Sequence, residues 1–239
     1  MTVQLFVPCF IDQLYPQVAF NTIKVLEKAG CEVKYNPNQT CCGQPAFNAG
    51  FWGESKDVCT KFVQDFDTAD YIVSPSASCT GFVRNNFGKL FENNAFQSPA
   101  KKVAHQIFEL SEFLVKVLNI SNFDAEFNAK VTYHDSCAAL RECKIMEEPR
   151  KLLAAVKGLE LVEMKDTTTC CGFGGSFAVK YDTISVAMAD QKIDNAIATE
   201  AEYIVSTDTS CLMHLEGRIN FNGTPIKIIH LADILASGY

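Results

Sequence analysis

Two short stretches concentrate the thiols of this chain, Cys41-Cys42-Gly43 and Cys170-Cys171-Gly172. Each is a pair of adjacent cysteines closed by a glycine, with one cysteine upstream (Cys9, Cys137) and one downstream (Cys79, Cys211). The matched positions recur at offsets of 128, 129, 129 and 132 residues. That regularity reads as two equivalent thiolate sites on two copies of one structural unit. Four thiolates are a common ligand set for an iron–sulfur cluster. Adjacent cysteines reach two metals of a polynuclear core more readily than one tetrahedral ion, because successive side chains diverge. Gly43 and Gly172 let the backbone turn tightly and bring N–H groups to sulfur, so both count as cofactor-binding positions. Tetrahedral zinc on sulfur remains the alternative, at one site or as a purely structural metal.

The elements that must position these residues alternate strand and helix. Apolar runs at Val3–Pro8, Cys31–Tyr35 and Tyr71–Val73 read as strands. Residues 15–29 and 52–66 have helical spacing, and a helix resumes past Gly81. Residues 91–100 read as polar loop and 103–118 as one helix, with 119–128 as the linker. The order then repeats: strands at 130–133, 159–164, 203–205 and 226–229, and helices at 149–156 (closed by Gly158), 184–199 and the C-terminal end. Tyr71-Ile72-Val73-Ser74 returns as Tyr203-Ile204-Val205-Ser206, which carries the repeat beyond the cysteines. The expected fold is α/β, two tandem pseudo-symmetric βα units at 1–122 and 123–239, each with a small parallel sheet flanked by helices. Cysteines at strand ends and on the following loops can then meet although far apart in sequence.

Composition narrows the function further. A net charge of −7 over 239 residues, with no basic cluster, argues against nucleic acid or an anionic membrane as partner. No run of about 18 apolar residues suggests a membrane span, and nothing at the N-terminus resembles a secretory signal, so a cytoplasmic, thiol-reducing location is expected. There, eleven cysteines fit metal or redox chemistry better than a disulfide framework. Cys31, Cys59 and Cys143 fall outside the repeat and read as small core hydrophobes. His134 could donate to cluster sulfur or tie down the strand-end loop, while His105, His214 and His230 read as structural. Trp52 and the 18 phenylalanines are assigned to the core. No nucleotide-binding fingerprint or catalytic side-chain constellation is legible, so no residue is assigned a catalytic role.

Beyond the two Cys-Cys-Gly repeats, Tyr133-His134-Asp135-Ser136-Cys137 with Arg141, Pro149-Arg150, Cys170-Cys171-Gly172-Phe173-Gly174-Gly175, and Cys211 with His214 resemble the cysteine-rich CCG-domain family. That family includes the cysteine-rich component of heterodisulfide reductase and the iron–sulfur component of glycolate oxidase. The resemblance covers nearly the whole chain. Two such domains without a ferredoxin-like segment are most similar to its lactate-utilization branch. This implies an electron-transfer role in oxidising L-lactate to pyruvate, alongside separately encoded partners of the B and C type. One departure matters. In the heterodisulfide reductase branch each repeat ends in Cys-x-x-Cys, whereas the first of those positions is Ser76 in one repeat here and Asp208 in the other. Four thiolates per site suit a conventional 4Fe-4S cluster, one or two per chain, better than the larger clusters and disulfide-cleaving chemistry of that branch. Ser76 and Asp208 are left as weak oxygen ligands or as marks of a lost thiolate.

Overall fold

In a computed structural model describing residues 1–239, the opening apolar run forms β1 (Thr2–Leu5), which ends three residues before Pro8. Pro8 lacks an amide proton and suits a helix start; α1 (Cys9–Leu14) follows at once, then α2 (Pro16–Lys28) with proline in its first turn. The half continues through β2 (Glu32–Tyr35), α3 (Gln44–Asn48), α4 (Trp52–Phe66), β3 (Ile72–Ser74), α5 (Ala77–Leu90), α6 (Gln97–Gln106) and β4 (Ile107–Glu109). A short α7 (Leu110–Glu112) runs into a π-helical turn at Phe113–Val117. The second half comprises β5 (Glu126–Tyr133), a π-helical turn at Ala139–Cys143, α8 (Glu147–Ala154), β6 (Lys157–Leu161), α9 (Ser176–Lys180), α10 (Asp182–Ile197), β7 (Tyr203–Ser206), α11 (Thr209–Asn222), β8 (Lys227–His230) and α12 (Leu231–Leu235).

Both sheets are four-stranded and parallel, with orders β2-β1-β3-β4 and β6-β5-β7-β8. The duplicated α/β architecture is therefore the one expected. The backbone repeats in register too: the Phe6 amide donates to Val73 and the His134 amide to Val205, at 2.9 and 2.8 Å. The buried faces of α4 and α10 match at a constant offset of 130 residues: Ser55 with Ser185, Cys59 with Ala189, Phe62 with Lys192, Val63 with Ile193, Phe66 with Ala196. The largest apolar cluster draws on both sheets, joining Val3, Leu5 and Val73 to Val131, Val205 and Leu231. A second, phenylalanine-rich cluster (Phe6, Phe62, Phe66, Phe82, Phe87) fills the first half alone, each such ring contributing roughly 2–3 kcal/mol by burial.

Several local expectations are corrected. Residues 103–118 are not one helix: β4 interrupts them, because Ile107 and Phe108 pair with Ile72 and Val73 at the sheet edge. Helix α6 begins at Gln97, inside the stretch read as loop. Gly158 does not close a helix; it lies within β6 at φ +79°, with Asn128 so close that a Cβ would collide with it. Trp52, Phe20, Phe51 and Phe221 are exposed rather than core. No helix is long and apolar enough to cross a membrane.

Candidate metal centre

The strand-to-helix connections of both halves open into one cavity of about 300 Å³ lined by all eight repeated cysteines. Each cysteine has a defined post. Cys9 and Cys79 sit in the first turns of α1 and α5, Cys211 in that of α11, and Cys137 just ahead of the π-turn at Ala139–Cys143. The two Cys-Cys-Gly loops supply the rest. In the first half the Cys9 and Cys41 sulfurs lie 3.9 Å apart and those of Cys42 and Cys79 3.4 Å. Cys31, Cys59 and Cys143 do not line the cavity; all three are buried.

The loop glycines behave alike. Gly43 has φ +93° and Gly172 φ +94°, a region a side chain disfavours. There is also no room: a Cβ on Gly43 would stand 2.7 Å from the Cys59 sulfur, and one on Gly172 2.5 Å from the Ser185 carbonyl oxygen. This backbone turn lets the amide of Gly43 donate to the Cys41 sulfur and that of Gly172 to Cys170, both at 3.4 Å. Equivalent serines lock the turns, Ser55 donating to the Gly43 carbonyl at 3.0 Å and Ser185 to that of Gly172 at 2.9 Å.

Charge is distributed the same way in each half. Hydrogen bonds from Cys42 and Cys9, helped by the Gly43 amide, pull the Cys41 thiol down to about 3. Hydrogen bonds from Cys137 and Cys171, with the Gly172 amide, pull Cys170 down to about 2. Their donors move up: Cys9 and Cys42 by hydrogen bonding to Cys41, Cys137 and Cys171 by hydrogen bonding to Cys170. One thiolate per half is thus favoured without metal, and a metal must displace the remaining protons.

The second half adds nitrogen. His134 is fully buried and neither ring nitrogen has a partner; burial lowers it to about 3, leaving the ring neutral. Its ligand atom falls within 4.8 Å of those of Cys171 and Cys211. The ring therefore does not tie down the loop. That task belongs to Arg150, whose guanidinium grips Asp135 through two bonds of 2.9 and 2.8 Å and also holds Glu163. Arg141 is exposed.

Asp208 lines the cavity and has a further role in the packing. Fully buried, it accepts from the Ser78 amide at 2.9 Å, the Ser78 hydroxyl at 3.1 Å and the Ser210 hydroxyl at 2.8 Å. It is a bracket from one half onto the first turn of α5 in the other. Ser76 caps α5, accepting from the Cys79 amide. His230 makes a second bracket, its Nε2 3.1 Å from the Pro75 carbonyl while its Nδ1 accepts from the Ala232 amide. Across the cavity, the rings of Phe10 and Phe173 meet edge to face at 5.8 Å.

The donor set fits a thiophilic metal group: paired sulfurs, amides aimed at sulfur, an unpartnered buried imidazole, and loops where no Cβ could intrude. Sequence reasoning singled out Pro149-Arg150 without its Asp135 partner, and missed Lys192 and the Asp208–Ser78 bracket as parts of the site. Laying α10 on α4 would have flagged Lys192, the one cation on a buried helix face and the counterpart of Phe62.

Comparison with known proteins follows the same lines. The CCG cysteine-rich domain model matches residues 3–84 and 131–216. The chain is 41% identical over 238 residues to lactate utilization protein A of Geobacillus sp. (strain WCH70), spanning 99% of this chain and 100% of that one. It is 43% identical over 239 residues to the protein of the same name from Exiguobacterium sp. (strain ATCC BAA-1283 / AT1b), spanning 99% and 97%. Among solved structures, a hypothetical protein from Helicobacter pylori shares the fold at TM-score 0.60 and 14% identity, over 100% of this chain and 49% of that one. With duplicated cysteine loops, duplicated sheets and full-length relatives in agreement, the chain belongs to the CCG cysteine-rich domain family, in the group of lactate utilization protein A sequences.

Proposed function

We propose that the chain is the iron–sulfur electron carrier of a multi-protein system oxidising L-lactate to pyruvate. In this reading residues 1–122 hold one cluster on Cys9, Cys41, Cys42 and Cys79, and residues 123–239 another on Cys137, Cys170, Cys171 and Cys211. The observation that carries it is the convergence of all eight cysteines on one cavity, in a relative of proteins named for lactate utilization. Bound there, 4Fe-4S groups would supply one-electron transfer. The chain's own contribution is to hold and tune them: Gly43 and Gly172 direct amides at sulfur, and the rings of Phe10 and Phe173 pack on each other in the cavity wall. Oxidising L-lactate to pyruvate releases two protons and two electrons, and the electron pair leaves as the C–H bond breaks. The sequence has no flavin or nicotinamide fingerprint, so that step is assigned to partners of the B and C type.

Purified without oxygen, the protein should carry iron and acid-labile sulfide, absorb broadly in the visible and bleach on reduction. It should support lactate-dependent dye reduction only when partner proteins are added. Stoichiometric zinc without sulfide would refute the reading, as would lactate-dependent dye reduction by the chain alone. A second reading, zinc in the second half only, is favoured by the proximity of His134, Cys171 and Cys211; it predicts zinc beside one iron–sulfur cluster.

A further inference from the structure

The two halves repeat backbone and cysteines closely but differ in what packs behind them. At the sheet position where the first half has Phe6, the second has His134. On the paired helix faces, Phe62 of α4 corresponds to Lys192 of α10. On α5 and α11 the buried residues match at an offset of 132, pairing Ala77 with Thr209, Cys79 with Cys211 and Phe87 with Ile219; Phe82 then corresponds to His214. Three phenylalanines behind one cysteine set are thus replaced by two imidazoles and a lysine behind the other.

The packing follows the chemistry. Phe6 and Phe62 meet edge to face at 4.8 Å, and Phe82 packs on Phe47 at 5.2 Å. Lys192 has no exposed surface, and its ammonium donates to the carbonyls of Asp166 and Thr167, at 2.8 and 2.9 Å, on the loop leading into Cys170. His134 lies beside Cys171 and Cys211 with both ring nitrogens free. His214 reaches the Ser185 hydroxyl at 3.2 Å behind the Gly172 turn. No cation takes the corresponding places in the first half, where buried Phe6, Phe62 and Phe82 stand.

A fixed positive charge and N–H groups near sulfur favour the reduced form of a cluster, and an aromatic shell disfavours it. We propose that the two centres are unequal, and that Lys192 and His134 make the second-half centre the higher in reduction potential, where an arriving electron comes to rest. This rests on the electron-carrier reading above. Three carboxylates stand nearby. Asp208 bonds Ser78 next to Cys79 and Ser210 next to Cys211 and so borders a cysteine of each half. Buried Asp135 beside His134 is paired with Arg150, and Glu142 lines the cavity against Gly81 of α5. None of them sets a negative charge on the second half alone.

The test is a redox titration followed by electron paramagnetic resonance on anaerobically prepared full-length protein. Cys171→Ser leaves only the first-half centre and Cys42→Ser only the second. The centre retained in Cys42→Ser should titrate at the higher potential. Lys192→Met and His134→Phe, in the otherwise native chain, should each lower the potential of that centre and leave the other unchanged. Equal potentials in the two cysteine variants, or the reverse order, overturn the proposal without any reliance on Lys192 variants that fail to fold. Full iron content with unmoved potentials in both Lys192→Met and His134→Phe overturns it as well. Absence of iron and sulfide from the wild-type protein would fail the electron-carrier reading itself, a result visible before any potential is measured.

Discussion

Gly43→Ala offers a quantitative test of how the cysteine loops are built. Two costs arise at this position. The backbone lies at φ +93°, where a side chain costs about 1–2 kcal/mol. The new methyl would also stand 2.7 Å from the Cys59 sulfur, an overlap worth about 1–3 kcal/mol in a packed interior. Together these predict a loss of roughly 2–5 kcal/mol. Only the second cost depends on Cys59, so Cys59→Ala should relieve it. Alone, Cys59→Ala removes a buried sulfur and its bond to the Cys42 carbonyl (3.3 Å), for about 1–2 kcal/mol. The double variant should therefore be more stable than the sum of the singles by about 1–2 kcal/mol. Gly172→Ala has no such rescue, because its methyl meets the Ser185 backbone oxygen at 2.5 Å. Urea unfolding of the metal-free protein, compared at constant slope, reads all four values. Additive behaviour of Gly43→Ala and Cys59→Ala, or a Gly172→Ala effect milder than that of Gly43→Ala, would refute this account of the turns.

Two further outcomes follow from buried carboxylates. Asp208→Ala should cost about 2–3 kcal/mol, since it strands the Ser78 amide and releases the bracket between halves; hydrogen exchange in the first turn of α5 should rise, and an unchanged rate there would refute the bracket. Burial pushes the Glu109 carboxyl up to about 8, against about 4.3 in an unfolded chain. Between those values the unfolded state has released a proton that the folded state keeps, so the contribution of Glu109 to stability is full below about pH 4 and is lost by about pH 8, a few kcal/mol in all. Glu109→Gln should flatten that slope in urea midpoints taken at pH 5 and pH 8; a variant as pH-dependent as the wild type would count against it.

The duplication was legible because cysteine and glycine are constrained by chemistry and by backbone, not by context. Strands such as Ile72–Ser74 and helices such as Trp52–Phe66 followed from apolar spacing. What stayed hidden depends on tertiary partners. Residues 107–109 continue a helical apolar pattern and become strand only because the edge of β3 is free to pair. Trp52 looked like core by type, yet it begins α4 facing solvent at 65% exposure. That all eight cysteines share one cavity could not be read from spacing, which is the same whether the two sheets face each other or stand apart. His134 was visible as a residue near Cys137, but its unpartnered nitrogens are a property of the packing around it.

Asp208 shows why the missing thiolates need not be damage. A cysteine at that position would bring a fifth sulfur to the second half but could not accept three hydrogen bonds at once with comparable strength. The carboxylate does, and its donors are Ser78, in the first turn of α5, and Ser210, in the first turn of α11. Those are the turns that present Cys79 and Cys211 to the cavity. Holding them together fixes the cysteines of one half relative to the other, which the shared apolar cluster alone would do with less directional precision, since burial is non-directional. Ser76 makes the matching change in the first half by capping α5 at the Cys79 amide. Each of the two residues restrains a helix turn that presents a cysteine to the cavity. For the electron carrier proposed above, rigidity of the four repeated cysteines in each half would serve better than a fifth sulfur.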